Sequence, residues 1–132
     1  MNGEYVLDSN IIIDIFRGKQ TTINQLPNLT KTYVPSIVLG ELYFGANKSN
    51  KTEERLREIK QFEQKVTILS VNDTTAEIYG EIKNKLKQMG KPIPENDIWI
   101  AAITKEVGLP LITRDKHFAN IDDITTFNPD EQ

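Results

Sequence analysis

The chain has 132 residues, 38% apolar and 27% charged, with a formal net charge of −3, which suits one globular domain and excludes a disordered chain. Cysteine is absent and His117 is the only histidine, so disulfides, thiolate chemistry and a multi-histidine centre are excluded, and a metal site has to use the oxygen ligands that suit Mg²⁺ or Mn²⁺. The longest apolar run, Ile98 to Ile103, is far shorter than the roughly 20 residues that span a bilayer, and Met1-Asn2-Gly3-Glu4 lacks the basic start of a signal peptide, so a cytoplasmic protein with no membrane association is expected.

From the N-terminus, Tyr5-Val6-Leu7 is short, apolar and partly β-branched, which predicts a buried strand. Asp8-Ser9-Asn10 follows with residue types that cap helices. Ile12, Ile13, Ile15 and Phe16 then give a mostly apolar helical face that stops near Gly18. A short helix is expected around Thr22 to Leu26, ended by Pro27, and Thr32-Tyr33-Val34 is the next strand. Ser36 is read as the N-cap of a helix in which Ile37, Leu39, Leu42, Tyr43 and Phe44 cover much of the circumference. Such a helix is buried or faces a partner.

After a polar break at Lys48 to Lys51, a charged helix runs from Thr52 to about Gln64 with Leu56, Ile59 and Phe62 inside, and Val66 to Leu69 is a third strand. Thr74-Thr75-Ala76-Glu77 matches a capping box. Ile78, Ile82, Leu86 and Met89 continue at helical spacing until Gly90 and Pro92. Asn96-Asp97 opens a helix that is apolar nearly all round and therefore belongs in the interior; Gly108 closes it. Leu109 to Ile112 and Thr125 to Phe127 are the last strand candidates, and Asn128 onward reads as a solvated tail. Short strands alternating with longer helices predict an α/β sandwich around a mainly parallel sheet, as one domain over residues 1–132 with a tail from about 128.

Ligands of open α/β sheets sit beyond the carboxyl ends of the strands. Asp8 directly follows the first strand and Asp115 lies just past the fourth, so both emerge on one edge. Asp97 heads the interior helix, and Glu41 lies about one turn into the helix that starts at Ser36. Four carboxylates would then converge, and two like charges about 4 Å apart repel by roughly 4 kcal/mol at an effective dielectric near 20. Protons or a divalent metal must relieve that repulsion. A metal held there would activate water and stabilise a leaving oxygen, which makes phosphodiester hydrolysis the natural reaction. Singly, each residue has a plainer reading: Asp8 as a cap, Asp97 as a complement to the helix dipole, Asp115 as a turn residue. Glu41 stands out, because an acid amid Leu39, Leu42, Tyr43 and Phe44 is costly to bury unpaired.

At these positions the chain resembles the PIN-domain nucleases, and specifically the VapC-type toxins of bacterial toxin–antitoxin pairs. The matching segments are Leu7-Asp8-Ser9-Asn10, the run from Ser36 through Glu41 to Gly45, Asn96-Asp97-Ile98-Trp99-Ile100-Ala101-Ala102, and Thr113-Arg114-Asp115-Lys116-His117-Phe118. They occur in family order and cover nearly the whole chain. The resemblance implies a PIN-like α/β/α sandwich and a Mg²⁺- or Mn²⁺-dependent endoribonuclease that cuts RNA, often transfer or ribosomal RNA. It also implies a small inhibitory antitoxin and a homodimer. Carried over by position, Asp8, Glu41, Asp97 and Asp115 form the acidic site, with Asp8, Asp97 and Asp115 as metal ligands and Asn10 and Thr113 as supporting hydrogen-bonding residues. Ser9 stands where threonine is common, and His117 where many relatives have a further aspartate.

The plainer reading of His117 is a surface or packing residue beside Phe118. Lys83, Lys85, Lys87 and Lys91 could track a phosphate backbone, but Glu81 and Lys85 form a helix pair and the run reads as a solvated face. Trp99 and Phe62 read as core or interface residues. Two other functions compete: a non-catalytic PIN-fold module that binds RNA or protein, and a phosphoacceptor domain. Retention of all four acids opposes the first. The second needs an acceptor aspartate after a central strand, where Ser70-Val71-Asn72 stands.

Overall fold

The run Tyr5-Val6-Leu7 forms the middle of the molecule in the computed structural model, which describes residues 3–132; the reading of Met1-Asn2 lies outside the described residues. Strand β1 (Glu4–Leu7) is buried along Tyr5, Val6 and Leu7, as expected of a parallel strand covered on both faces. The chain steps from β1 to β2 (Lys31–Pro35) and β3 (Thr67–Leu69) on one side. It then returns to the other side of β1 with β4 (Leu111–Ile112) and β5 (Thr126–Phe127). The order is β3-β2-β1-β4-β5, and every pairing is parallel. Because the order reverses between β1 and β4, a crevice opens past their carboxyl ends.

Among the described residues six helices cover the sheet: α1 (Ser9–Phe16), α2 (Gln20–Gln25), α3 (Ser36–Asn47), α4 (Thr52–Glu63), α5 (Asp73–Gln88) and α6 (Glu95–Val107). A helix linking parallel strands runs antiparallel to them, so its first turns lie on the edge where the strands end. The N-terminal turns of α1, α3 and α6 therefore border the crevice. Helix α6 buries Ile98, Ile100, Ala101, Ala102 and Ile103, in accord with its all-round apolarity. Of these, Ile98, Ile100, Ala101 and Ala102 share one core with Val6, Ile11, Ile12, Val34, Val38, Leu111 and Ile112, all essentially inaccessible to solvent. Each buried Ile, Leu or Val contributes about 1.5–3 kcal/mol relative to exposure, and this core holds the helix starts in place.

Local details depart from the expectations. Helix α3 is not capped by Ser36; Pro35, still paired with Leu69 in the sheet, takes that place in an extended conformation. The strand runs straight into the helix and leaves Ser36 as its first residue. The capping box of α5 lies two residues earlier than Thr74 suggested. Asn72 Oδ1 accepts from the Thr75 amide and Thr75 Oγ1 accepts from the Asn72 amide, both at 3.1 Å. Lys85 pairs with Asp123 at 3.1 Å rather than with Glu81, and Lys83 pairs with Glu95. Trp99 stacks on Tyr79 with ring centroids 3.9 Å apart, and Phe62 meets Phe16 edge-on at 5.3 Å. The expected tail is docked instead: Asn128 caps a 3₁₀ turn (Pro129–Glu131), Pro129 is buried, and Asp130 pairs with Arg114 at 3.2 Å. Among the described residues no helix is long and apolar enough to cross a membrane.

Candidate active site

Register alone brings the two ends of the chain together. Leu7 pairs with Ile112, so the residues that follow, Asp8 and Thr113, are neighbours across the crevice. The Asp8 amide donates to the Ile112 carbonyl at 3.1 Å. Asp8 takes the cap position of α1, extended at φ −86 and ψ 162, and accepts from the Ser9 amide at 2.8 Å. Thr113 Oγ1 donates to Asp8 Oδ2 at 2.6 Å and accepts from the Asp115 amide at 3.0 Å. One buried hydroxyl therefore orients both aspartates. Asn10 adds a longer bond from Nδ2 to Asp8 Oδ2 at 3.4 Å, and its Oδ1 accepts from the Arg114 amide at 3.2 Å. Asn10 and Thr113 thus hold the two segments to each other.

Asp97 lies in the first turn of α6 and is buried. Asp115 caps a 3₁₀ turn (Lys116–Asn120), where its Oδ1 accepts from the His117 amide at 2.9 Å. The His117 ring folds back over the site. Its Nδ1 is 2.9 Å from Asp97 Oδ2 and 2.9 Å from Asp115 Oδ1. Ligand atoms of Asp97, Asp115 and His117 lie within 4.8 Å of one another. This set differs in one member from the expected Asp8, Asp97 and Asp115. His117 is a surface residue, as its plainer reading had it, with Phe118 as the packing residue of that turn; what that reading did not include is the contact of its ring with the acids.

Glu41 enters from α3, and its Oε1 is buried with no hydrogen-bond partner among the described residues. Burial pushes its carboxyl above the ordinary range, and the charges of Asp8 and Asp97 push the same way, against a smaller effect of Asn96 and Ser9. Burial likewise raises Asp8, with Thr113 and Ser9 opposing and Asp115 adding. Asp97 is raised first by burial, then by Asp115 and Asp8, with His117 opposing. Glu41 therefore feels the charges of Asp8 and Asp97, and both of these feel Asp115, although the acids come from four separate segments. The His117 imidazole is raised, chiefly by its bond to Asp97. Burial without a cation, beside like charges, favours the protonated form of a carboxyl.

An oxygen-rich pocket with an unpartnered buried carboxylate oxygen fits a hard divalent cation. Asp97 and Asp115 have the spacing of neighbouring donors together with His117, while Asp8 is tied to the Asp115 segment through Thr113.

Sequence reasoning missed a second cluster behind the site. Asp14 is buried on α1, accepts from Thr22 Oγ1 at 2.6 Å and binds the Arg114 guanidinium, which also reaches Thr22 at 2.8 Å. The signal was present, since Asp14 interrupts Ile11-Ile12-Ile13 and Ile15-Phe16 as Glu41 interrupts its own helix. Arg114 stands between Thr113 and Asp115 and fastens that turn to α1.

A groove of about 510 Å³ runs from Glu41 between α1, α3 and α4. Ile13, Phe16, Leu42 and Phe44 line it, with Arg17, Lys48 and Arg55 among its cationic residues. Phe44 is 66% exposed, with the Lys48 ammonium 4.8 Å from its ring centroid. Tyr43 turns the other way and donates to Glu63 at 3.0 Å.

Residues 5–124 match the PIN domain family. The chain is 40% identical over 114 residues to ribonuclease VapC2 of Haemophilus influenzae, covering 83% of this chain and 85% of that protein. It is 30% identical over 112 residues to the tRNA(fMet)-specific endonuclease VapC of Shigella flexneri, with the same coverage of 83% and 85%. Among solved structures, VapBC-1 from nontypeable Haemophilus influenzae superposes with a TM-score of 0.83 at 32% identity, covering 96% of this chain and 98% of its counterpart.

Proposed function

The chain belongs to the PIN-domain family, in its VapC branch, and from that premise we propose that it is a ribonuclease toxin that hydrolyses RNA phosphodiester bonds with a Mg²⁺ or Mn²⁺ ion and is held in check by a small cognate antitoxin. One observation carries the chemistry: four carboxylates from distant segments meet at the crevice between β1 and β4, and Glu41 Oε1 is left there without a partner.

When bound, the cation lowers the pKa of a water and neutralises charge on the scissile phosphate. Asp8, Asp97 and Asp115 would hold it, and the Thr113 hydroxyl restrains the Asp8 carboxylate and the Asp115 backbone. Glu41 enters from α3, and its pKa, raised by burial, makes it a stronger base than an ordinary carboxylate for the proton of the attacking water. Asn10 keeps the two strand-exit segments from separating. The competing reading, a PIN-fold module without chemistry, gives no reason to gather these acids, since their repulsion is a cost to the fold.

The groove that ends at Glu41 suits an apolar antitoxin segment. Phe16, Phe44 and Ile13 offer the hydrophobic seat, and a partner with acidic groups would meet Arg17 and Lys48, Arg55 being paired with Glu58 at 2.9 Å. A VapBC structure from Mycobacterium tuberculosis that this chain resembles belongs to a family of toxin–antitoxin systems, which supports that occupant. Transfer RNA or ribosomal RNA is the substrate class we assign, and a homodimer the assembly; a related VapC is named for tRNA(fMet).

The test is induction of the wild type, Asp8→Asn and Asp97→Asn with sequencing of the RNA ends produced. Metal-dependent cleavage and growth arrest are expected from the wild type alone, with all three folded by circular dichroism. Full activity in both variants would refute the assignment of these residues.

A further inference from the structure

We propose that His117 donates its Nδ1 to the catalytic cation, so that the site is a mixed nitrogen–oxygen centre that selects Mn²⁺ over Mg²⁺; this deepens the metal-dependent reading above and rests on it. The geometry is that of adjacent ligands. Donor atoms bound at right angles to one ion, with bonds of about 2.1 Å, lie about 3 Å apart. His117 Nδ1 has that separation, 2.9 Å, from both Asp97 Oδ2 and Asp115 Oδ1. The three groups therefore have the spacing of neighbouring donors around one ion, with two edges matched and all atoms within 4.8 Å of one another.

The backbone favours this placement. His117 lies in the first turn after Asp115, and its own amide is tied to Asp115 Oδ1 at 2.9 Å. That bond bends the chain so that ring and carboxylate face the same point. The side chain remains 50% exposed, so the ring can adjust to an entering ion without disturbing the core.

Ligand chemistry supplies the selectivity. Mg²⁺ takes oxygen donors and sheds water reluctantly, whereas imidazole suits transition metals. Every other candidate ligand here is a carboxylate, so His117 is the one group that separates the two ions. The rival role for the ring is a hydrogen-bond donor clamping Asp97 to Asp115, which would leave the ion all-oxygen.

Because the chain has a single histidine, an imidazole signal from bound metal has only one source. The experiment is pulsed electron paramagnetic resonance on the full chain loaded with Mn²⁺, alongside titrations of Mn²⁺ and Mg²⁺ into wild type, His117→Gln and His117→Asp. Directly bound imidazole nitrogen is expected in the wild type, and ¹⁵N-histidine labelling should shift it. In His117→Gln the signal should vanish and Mn²⁺ affinity should fall by about tenfold or more, on the scale of disturbed metal-site residues. Mg²⁺ affinity should change by less than about twofold there, and His117→Asp should move the preference toward Mg²⁺. Bound Mn²⁺ without imidazole coupling, or equal weakening of both ions in His117→Gln, overturns this assignment and leaves the nuclease reading standing. Failure of the wild type to bind Mn²⁺ at all overturns both.

Discussion

Replacing Thr113 with valine tests the geometry at its narrowest point. Valine matches threonine in shape, so packing at this 2%-exposed position is kept, while two hydrogen bonds are lost. One is the 2.6 Å bond to Asp8 Oδ2, and the other is the 3.0 Å bond accepted from the Asp115 amide. A bond to an ionised group contributes about 1.5–3 kcal/mol and a neutral one about 0.5–1.5 kcal/mol. Asp8 retains the Ser9 amide, so the expected loss is about 2–4 kcal/mol, or roughly 6–14 °C in Tm for a domain of this size. The pH dependence has a definite sign. Thr113 lowers the Asp8 pKa, so its removal raises the folded-state value further and the folded variant binds more protons than the wild type. The deficit should therefore grow as pH rises through the folded pKa and fade as pH falls toward 3.8, the ordinary aspartate value. Since one hydroxyl orients two ligands, Mn²⁺ affinity should fall by about 10–100-fold. Thermal melts with and without Mn²⁺ measure both effects, with Thr113→Ser as the control that keeps the hydroxyl. Wild-type metal affinity in Thr113→Val would refute the reasoning.

Glu41→Gln should raise the melting temperature of the metal-free protein at neutral pH, because a carboxyl whose pKa is raised by burial and by Asp8 loses stability as pH climbs above the unfolded value; the same variant should cleave RNA poorly, and a lowered metal-free Tm would contradict the repulsion. Asp14→Ala should cost about 2–3 kcal/mol in urea unfolding, less than the usual 3–5 kcal/mol for a broken buried pair because Arg114 is part-exposed and keeps Asp130. Thr22 and Arg114 outweigh burial and hold Asp14 below its ordinary range, so its contribution is complete above pH 3.8 and is lost as pH falls through the depressed value. Phe44→Asp should weaken antitoxin binding by about 30-fold, as loss of an aromatic anchor worth about 2 kcal/mol does, and leave RNA cleavage by the free toxin unchanged; calorimetry and a cleavage assay separate the two.

The fold was legible because its signals are local and strong: short β-branched runs, an all-round apolar helix at Ile98–Ile103, and glycines after helices. The same reading singled out Asp8, Glu41, Asp97 and Asp115 as candidates, since an acid at a strand exit or amid apolar neighbours is conspicuous. What stayed hidden depends on contacts between distant residues. Nothing beside His117 in sequence points to Asp97, 20 residues away; only the return of α6 to the strand-exit edge makes them neighbours. Arg114 and Asp14, 100 residues apart, are joined through the register of β1 and β4. The docked C-terminal turn depends on Arg114 and on a seat for Pro129, neither visible in a polar stretch read by itself.

Two buried aspartates within one molecule separate structure from function. Asp14 and Asp8 both lie on or at the start of α1 and are almost equally inaccessible, at 6% and 4%. Asp14 faces Arg114, Lys19 and Thr22, and its pKa is driven down. Asp8 also accepts hydrogen bonds, from Thr113 and Ser9, yet its pKa is driven up, because burial dominates and its charged neighbour is Asp115. Capping α1 explains the bond to the Ser9 amide, but capping has no need of Asp115, Asp97 or Glu41 nearby. A carboxylate kept for stability is given a cation by the chain. Asp8 and Asp97 are raised in spite of their hydrogen bonds, Asp97 even beside His117, and Glu41 keeps a bare oxygen, an arrangement that a proton or a bound cation would relieve.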